Sequence, residues 1–246
     1  MSIITASKYL LHGLLLLGSL LFATAHAAIV ISGTRVIYPS DQKEVTIKLD
    51  NTQDAPLLIQ SWIDDGSPQS TPETSNAPFI MTPPIARVDG HQGQTLRVRY
   101  TGKKTLPHDK ESVFWLNVLE VPPSSNDGQN KLKIAFRSRV KLFYRPQALA
   151  MEQEQAAANI KWRLIKKSGV LYLEGFNPTP YYITISSAKV KSVAVELNLE
   201  NSMIPPGERR ALKFNGAFTP TNDMQVAFST VNDYGALNEF KQPVAE

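Results

Sequence analysis

The sequence predicts an all-β protein of two β-sandwich domains, the first of them immunoglobulin-like. Three observations carry that prediction. Residues 28–146 fall into seven short apolar or alternating segments, divided by Gly, Pro, Asn and Asp at the spacing of sandwich strands. After a break marked by Tyr144-Arg145-Pro146, residues 147–246 resume the same pattern. No amphipathic helix of ordinary length interrupts the first half, and no period of 20–50 residues repeats as a solenoid requires.

Residues 1–27 stand apart from the fold. Lys8 precedes an apolar run from Leu10 to Phe22 that ends at Ala25-His26-Ala27, the pattern of a secretory signal with a small-x-small cleavage site. The run is interrupted by His12, Gly13, Gly18 and Ser19 and is shorter than the roughly 20 apolar residues of a membrane-spanning helix. Ala28 is the expected first mature residue, and the mature chain is expected to enter no membrane. What remains is ample for two domains of about 100 residues each. The expected boundaries are 28–146 and 147–246.

In the first domain the expected strands are residues 29–35, 44–50, 57–64, 79–82, 94–100, 113–121 and 132–143. Trp62 falls on the third, where immunoglobulin-like folds commonly place a core Trp. Residues 66–78 and 122–130 are rich in turn formers and read as loops. Pro146 cannot donate to a ladder and ends the last strand. Residues 149–158 have the Ala, Glu and Gln content of a brief helix. The second domain should carry strands at 160–166, 170–176, 183–190, 194–199, 210–214, 225–231 and 237–241. Asn177-Pro178, Pro205-Pro206-Gly207 and Asn232-Asp233-Tyr234-Gly235 supply its turns.

The last strand of the first domain is the most informative segment. Leu132, Ile134 and Phe136 alternate with Lys133, Ala135 and Arg137, and Arg139, Lys141 and Arg145 continue a basic run without an acidic residue. Such a strand is either a sandwich edge guarded by charge or an edge kept open for a partner's strand.

Signs of catalysis are missing. The chain has no cysteine, which excludes disulfides, thiol catalysis and cysteine-ligated zinc. Of its 4 histidines only His91 and His108 lie beyond the leader, both in turn-like contexts, too few for a histidine metal cluster and poorly placed for a nucleophile's base. Asp64-Asp65 reads as a solvated strand end rather than a calcium ligand pair, and Gly90-His91-Gln92-Gly93 as a turn rather than a phosphate loop. No catalytic residue, metal or cofactor is expected. A formal net charge of +4 is too weak a bias to argue nucleic acid. Recognition, not chemistry, is the expected function.

The segment Leu106-Pro107-His108-Asp109-Lys110-Glu111-Ser112-Val113-Phe114-Trp115-Leu116-Asn117, followed by Val121-Pro122, resembles the signature of the periplasmic chaperones of the chaperone–usher pilus pathway. Thr34-Arg35-Val36, Pro83-Pro84-Ile85, Gly93-Gln94-Thr95-Leu96-Arg97-Val98 and Lys141-Leu142-Phe143-Tyr144-Arg145-Pro146 agree with it. In the second half the resemblance rests on Phe176-Asn177-Pro178-Thr179-Pro180-Tyr181, Pro205-Pro206-Gly207 and Asn232-Asp233-Tyr234-Gly235. It implies two immunoglobulin-like domains in a boomerang with a cleft between them. It further implies a non-enzymatic periplasmic chaperone that binds pilus or fimbrial subunits by donor-strand complementation, a form of β-augmentation, and delivers them to an outer-membrane usher. On this resemblance Leu132, Ile134 and Phe136 are the donor side chains, and Arg35 and Lys141 anchor a subunit's C-terminal carboxylate. Glu111, Arg145 and Asp233 form an interdomain ion cluster, and the unbound donor edge is a route to self-association. Because Lys141 is an odd number of residues from Phe136, a bend is expected to re-aim it. The short loop 122–130 resembles the branch that serves composite pili. Ser138, which interrupts the apolar face, and the missing cysteine pair of the second domain are departures. An exported carbohydrate- or peptide-binding sandwich, a secreted hydrolase and polyanion binding along the basic strand are the competing readings.

Overall fold

The structure, a computed structural model, describes residues 28–121, 134–217, 219–221 and 223–245. The expected secretory signal (1–27), the expected loop (122–130) and Leu132 therefore lie outside the described residues.

The first domain is a two-sheet sandwich. In chain order its strands are β1 (Ile29–Ile31), β2 (Arg35–Pro39), β3 (Val45–Asn51), β4 (Leu57–Asp64), β5 (Phe79–Thr82), β6 (Ile85–Val88), β7 (Gly93–Tyr100), β8 (Ser112–Val121) and β9 (Phe136–Arg145). One sheet runs β1-β3-β7-β5 and the other β2-β9-β8-β4-β6. Alternation does the work. Ile47 and Leu49 on β3, Leu96 and Val98 on β7, Ile59 and Ile63 on β4, and Phe114, Leu116 and Val118 on β8 all turn inward to one core. On β3 and β7 they alternate with polar or charged residues (Thr46, Lys48 and Asp50; Thr95, Arg97 and Arg99), whereas the outer face of β4 and β8 also carries Leu58, Trp62, Trp115 and Leu119.

The single strand expected over 29–35 is two strands in two different sheets. Gly33 sits at φ 102°, a conformation that glycine alone adopts cheaply, and there the chain leaves β3 and crosses to β9. The crossing matters because β2 then runs parallel to β9 with Arg35 directly beside Lys141.

A linker follows, in which a one-turn helix α1 (Gln153–Ala156) passes into a 3-10 turn (Ala157–Asn159) and buries Ala156 and Ala157 against the second core. The second domain contains β10 (Lys161–Lys167), β11 (Val170–Phe176), β12 (Ile183–Val190), β13 (Val193–Ala194), β14 (Met203–Ile204), β15 (Arg209–Lys213), β16 (Gln225–Val231) and β17 (Leu237–Ala245). Their order is β13-β12-β16-β17-β10-β11-β15, with β14 on β12. β17 pairs with β16 along most of its length and touches β10 only at Trp162–Val244 and Arg163–Ala245. The layers close over Trp162, Leu173, Ile185, Leu212, Val226 and Phe228.

Three expectations change here. Residues 194–199 contribute only the end of β13 and a single bridge from Val195 to Phe214. The four-residue β6, which follows Pro83-Pro84, and the two-residue β14 are not among the expected strands. Trp62 is buried but points away from the core, onto the outer face of its sheet, because Leu57, Ile59 and Ile63 take the inward positions of β4. Among the described residues no helix is long and apolar enough to cross a membrane.

Candidate functional site: a cationic cleft and an open strand edge

Parallel pairing of β2 with β9 places two cations side by side where the domains meet. The Arg35 guanidinium lies over the Phe143 ring, 5.7 Å from its centroid, and its Nη1 donates to the carbonyl of Val231 across the interdomain gap at 2.8 Å. Its Nε is buried without an acceptor. Among the described residues the Lys141 ammonium has no hydrogen-bond or ion-pair partner, and burial together with Arg35 pushes its pKa down to about 8. Two half-buried cations with donors to spare form a site for one anion, and a carboxylate is the group whose two oxygens match them.

Glu111, Arg145 and Asp233, which lie far apart in sequence, are brought together beside this pair. Arg145 clasps Asp233 with both terminal nitrogens, at 2.6 Å and 2.9 Å, while its Nε donates to Glu111 at 2.7 Å. The other Glu111 oxygen accepts the Tyr182 amide at 2.9 Å, so this first-domain carboxylate is bonded into the second domain. The turn that carries Asp233 is preformed. Asn232 Oδ1 accepts the amides of Tyr234 and Ala236, and Gly235, at φ 83°, packs so tightly on Thr34 that a Cβ there would lie 2.5 Å from the threonine hydroxyl. On the facing turn, buried Asn177 holds the carbonyls of Tyr181 and Ile204. Burial pushes the Glu111 carboxyl above its usual range, Arg145 and the Tyr182 amide pull it back, and the two carboxylates keep Arg145 charged. Arg145→Ala is therefore expected to cost about 3–5 kcal/mol at neutral pH, since it strands a buried carboxylate. The deficit should shrink in acid. With its folded pKa raised, Glu111 takes up a proton on folding, so stability falls as pH climbs from the unfolded toward the folded value. Melting curves of Arg145→Ala and wild type at neutral and acidic pH check this; a constant deficit contradicts it.

The third part is the edge itself. Residues 141–144 of β9 are flanked by both β2 and β8 and Arg145 by β2, whereas, among the described residues, 136–140 pair only with β8. Among the described residues no strand covers their other side, which is an open ladder. Ile134 and Phe136 are 56% and 61% exposed. Phe136 shares the parity of Val140, Leu142 and Tyr144, which pack into the first core, so the apolar face of the free half continues the inward face past the end of the sandwich. No bend re-aims Lys141. The β8–β9 register runs unbroken from Glu120–Phe136 to Ser112–Tyr144. Lys141 and Phe136 lie on opposite faces of the sheet, and the cleft is reached from the face that carries Lys141.

This chain resembles known proteins along its length. The model of the pili and flagellar-assembly chaperone, PapD N-terminal domain, matches residues 28–150, and that of the pili assembly chaperone PapD, C-terminal domain, matches residues 155–242. The chain belongs to the pili assembly chaperone family. Among curated relatives, the probable fimbrial chaperone YadV of Escherichia coli K12 is 43% identical over 217 residues, 87% of this chain and 88% of that one. The chaperone protein FimB/FhaD of Bordetella pertussis Tohama I is 40% identical over 243 residues, covering 95% and 97%. The crystal structure of the YadV chaperone superposes with a TM-score of 0.76 at 41% identity, over 88% of this chain and 100% of that one. A structure of the Salmonella enterica SafA pilin in complex with the SafB chaperone matches at 27% identity with a TM-score of 0.73, over 90% and 98%. The protein is thus a pilus assembly chaperone and not an enzyme.

One group of residues in this chaperone escapes the sequence reading. Asp64, expected at a solvated strand end, has a fully buried side chain. It accepts from Arg139 Nε at 3.2 Å and Nη2 at 2.5 Å, from Asn117 Nδ2 at 2.7 Å and from the Gly66 amide at 2.7 Å. Despite desolvation, these donors hold its carboxyl below the usual range. Arg137 and Arg139 are consequently engaged on the outer face of their sheet, and the polyanion reading loses two of its cations. The available signal was the outward parity of Asp64, Asn117, Arg137 and Arg139, but alternation says which face a residue takes and not what covers that face. His91, on its turn at φ 56°, meets Asp54 at the surface, and among the described residues no cluster could hold a metal.

Proposed function

We propose that the mature chain, beginning at Ala28, works in the periplasm, where it captures pilus or fimbrial subunits by lending them β9 as a missing strand and presents them to an outer-membrane usher. The observation that carries this reading is the open edge over residues 136–140, flanked by exposed Ile134 and Phe136 and leading directly to the Arg35–Lys141 pair. Leu132 would extend the donor face by one step of the same alternation.

The parts act together. A subunit's C-terminal carboxylate takes charge-assisted bonds from Arg35 and Lys141, worth roughly 1.5–3 kcal/mol each where water is excluded. That anchor sets the register of the subunit against β9, and a slip of one residue would turn every donor side chain to the wrong face. Ladder hydrogen bonds to the open edge then form, and the donor side chains fill the subunit's groove. Glu111, Arg145 and Asp233 hold the second domain at a fixed angle to the anchor. All of the work comes from binding energy, as suits a compartment without ATP.

The absence of cysteine makes a clean test. With Phe136→Cys in the chaperone and one cysteine in the groove of its subunit, a disulfide-linked complex should be recovered from the periplasm with a chaperone N-terminus at Ala28. Leu199→Cys, at a position 94% exposed in the second domain, should give none. Equal trapping at both positions, or none at residue 136, would contradict donation.

A further inference from the structure

We propose that Asp64 is a positioning residue for the donor edge: from the sheet face opposite the donor side chains it braces the half of β9 that has only one neighbouring strand, fixing the register that this half offers to a subunit. The inference rests on the donor-strand reading and adds to it the device that keeps the strand ready.

A strand half paired on one side only is prone to fray and to slip. Here the missing neighbour is replaced by side-chain bonds from behind. Arg137 and Arg139, alternate residues of the free half, both converge on the buried Asp64 carboxylate, Arg139 through two nitrogens and Arg137 through Nη2 at 3.5 Å. Buried Asn117 joins them, since its Oδ1 accepts Arg137 Nε at 2.9 Å and Nη2 at 2.6 Å while its Nδ2 donates to Asp64. Each guanidinium also lies over an indole, Arg137 at 4.6 Å from the Trp62 ring and Arg139 at 5.0 Å from Trp115. The turn-rich segment after β4 covers the group. Arg137 donates to the Pro68 carbonyl at 2.8 Å, and the Ser70 hydroxyl accepts both Arg137 and the Trp62 indole N–H.

The arrangement is specific for one register. Arg139 is paired with Asn117, and Asp64 with Trp115, across adjacent ladders. A slip of β9 by one residue would bring Ser138 or Val140 to the place of Arg139 and leave the buried carboxylate short of a cation, an outcome far costlier than losing a surface pair. None of these groups lies on the donor face. They hold the strand while leaving its apolar side chains and its open ladder untouched, so the ordering entropy of the edge is spent on folding the chaperone and not on binding the subunit.

The test uses Asp64→Asn in the mature chaperone, with Arg137→Met, which leaves Arg139 on the buried carboxylate, as a second, milder variant should the first fold poorly. Hydrogen exchange in the free protein is compared at two places: the β8-bonded amides of residues 136–140 and those of Leu142 and Tyr144, which lie between two strands. Subunit dissociation is measured alongside. We expect exchange over 136–140 to accelerate about tenfold or more with little change at Leu142 and Tyr144, and the subunit complex to dissociate about tenfold faster. Equal acceleration at both places would mean an ordinary stabilising contact and would overturn the proposal, as would unchanged exchange over 136–140. Local acceleration with unchanged subunit dissociation would also overturn it, and would count against the donor-strand reading itself. That reading has its own test at Phe136, so the two can fail separately.

Discussion

Lys141→Met is expected to give a chaperone that melts at a higher temperature than wild type and retains no subunit. The two effects come from one fact. In the free cleft the ammonium is buried beside Arg35 with its pKa lowered to about 8, and a displacement of that size from 10.5 corresponds to roughly 3 kcal/mol against the charged form at neutral pH. Met keeps the apolar stem and removes the charge, so folding should gain part of that amount. The folded protein binds fewer protons than the unfolded one between pH 8 and 10.5, and wild-type stability should therefore rise with pH across that window, a slope absent from Lys141→Met. A bound carboxylate reverses the preference and raises the pKa of Lys141. Capture should then draw in a proton above pH 8, and subunit affinity should fall by up to tenfold per pH unit as the lysine titrates. Arg35→Ala should abolish capture too, but with some loss of stability, because Arg35 also holds Val231 across the domains. Melting curves from pH 7 to 10 and subunit co-purification decide the matter. Wild-type recovery of subunits by both variants would remove these residues from the anchor.

The sequence made the fold legible wherever a strand was long enough to show alternation with one face buried. Residues 57–64, 79–82, 170–176, 183–190 and 225–231 have the limits that alternation predicts. It was least informative where a single backbone angle decides the topology. Nothing in the apolar pattern of residues 29–39 says that the chain changes sheets at Gly33, yet that crossing puts Arg35 beside Lys141. The site divides in the same way. Motif resemblance pointed to Glu111, Arg145 and Asp233, and in the structure Arg145 bonds to both carboxylates. Asp64 looked like a solvated strand end because its partners, Arg139 and Asn117, come from strands far along the chain, and burial of a carboxylate depends on such partners more than on its neighbours in sequence. The bend expected before Lys141 rested on the assumption that anchor and donor residues share a face, which the unbroken β8–β9 register removes.

Substituting Ile134 and Phe136 by Thr, together with Leu132→Ser, should cripple capture and leave the free chaperone's melting temperature almost unchanged. More than half of each described side chain is already in solvent, so truncation forfeits little burial on folding and the change should stay within about 0.5 kcal/mol. Leu142→Ala supplies the contrast. Leu142 lies on the same strand with the same parity but fully inside the core, and its loss should cost about 2–5 kcal/mol. Binding weighs the residues the other way. Burying Ile134 and Phe136 in a subunit groove is worth at most roughly 1.5–3 kcal/mol apiece, together about 3–6 kcal/mol. At about 1.4 kcal/mol per tenfold, their loss should weaken the complex by roughly 10²–10⁴. Ladder bonds to the backbone survive the substitution, but they exchange for bonds to water and add little net energy, so they cannot rescue it. The melting curve of the purified triple variant, measured beside its subunit co-purification and beside Leu142→Ala, separates donation from core packing. A loss of stability approaching that of Leu142→Ala would assign these side chains to the fold, and capture at wild-type levels would remove them from the donor face.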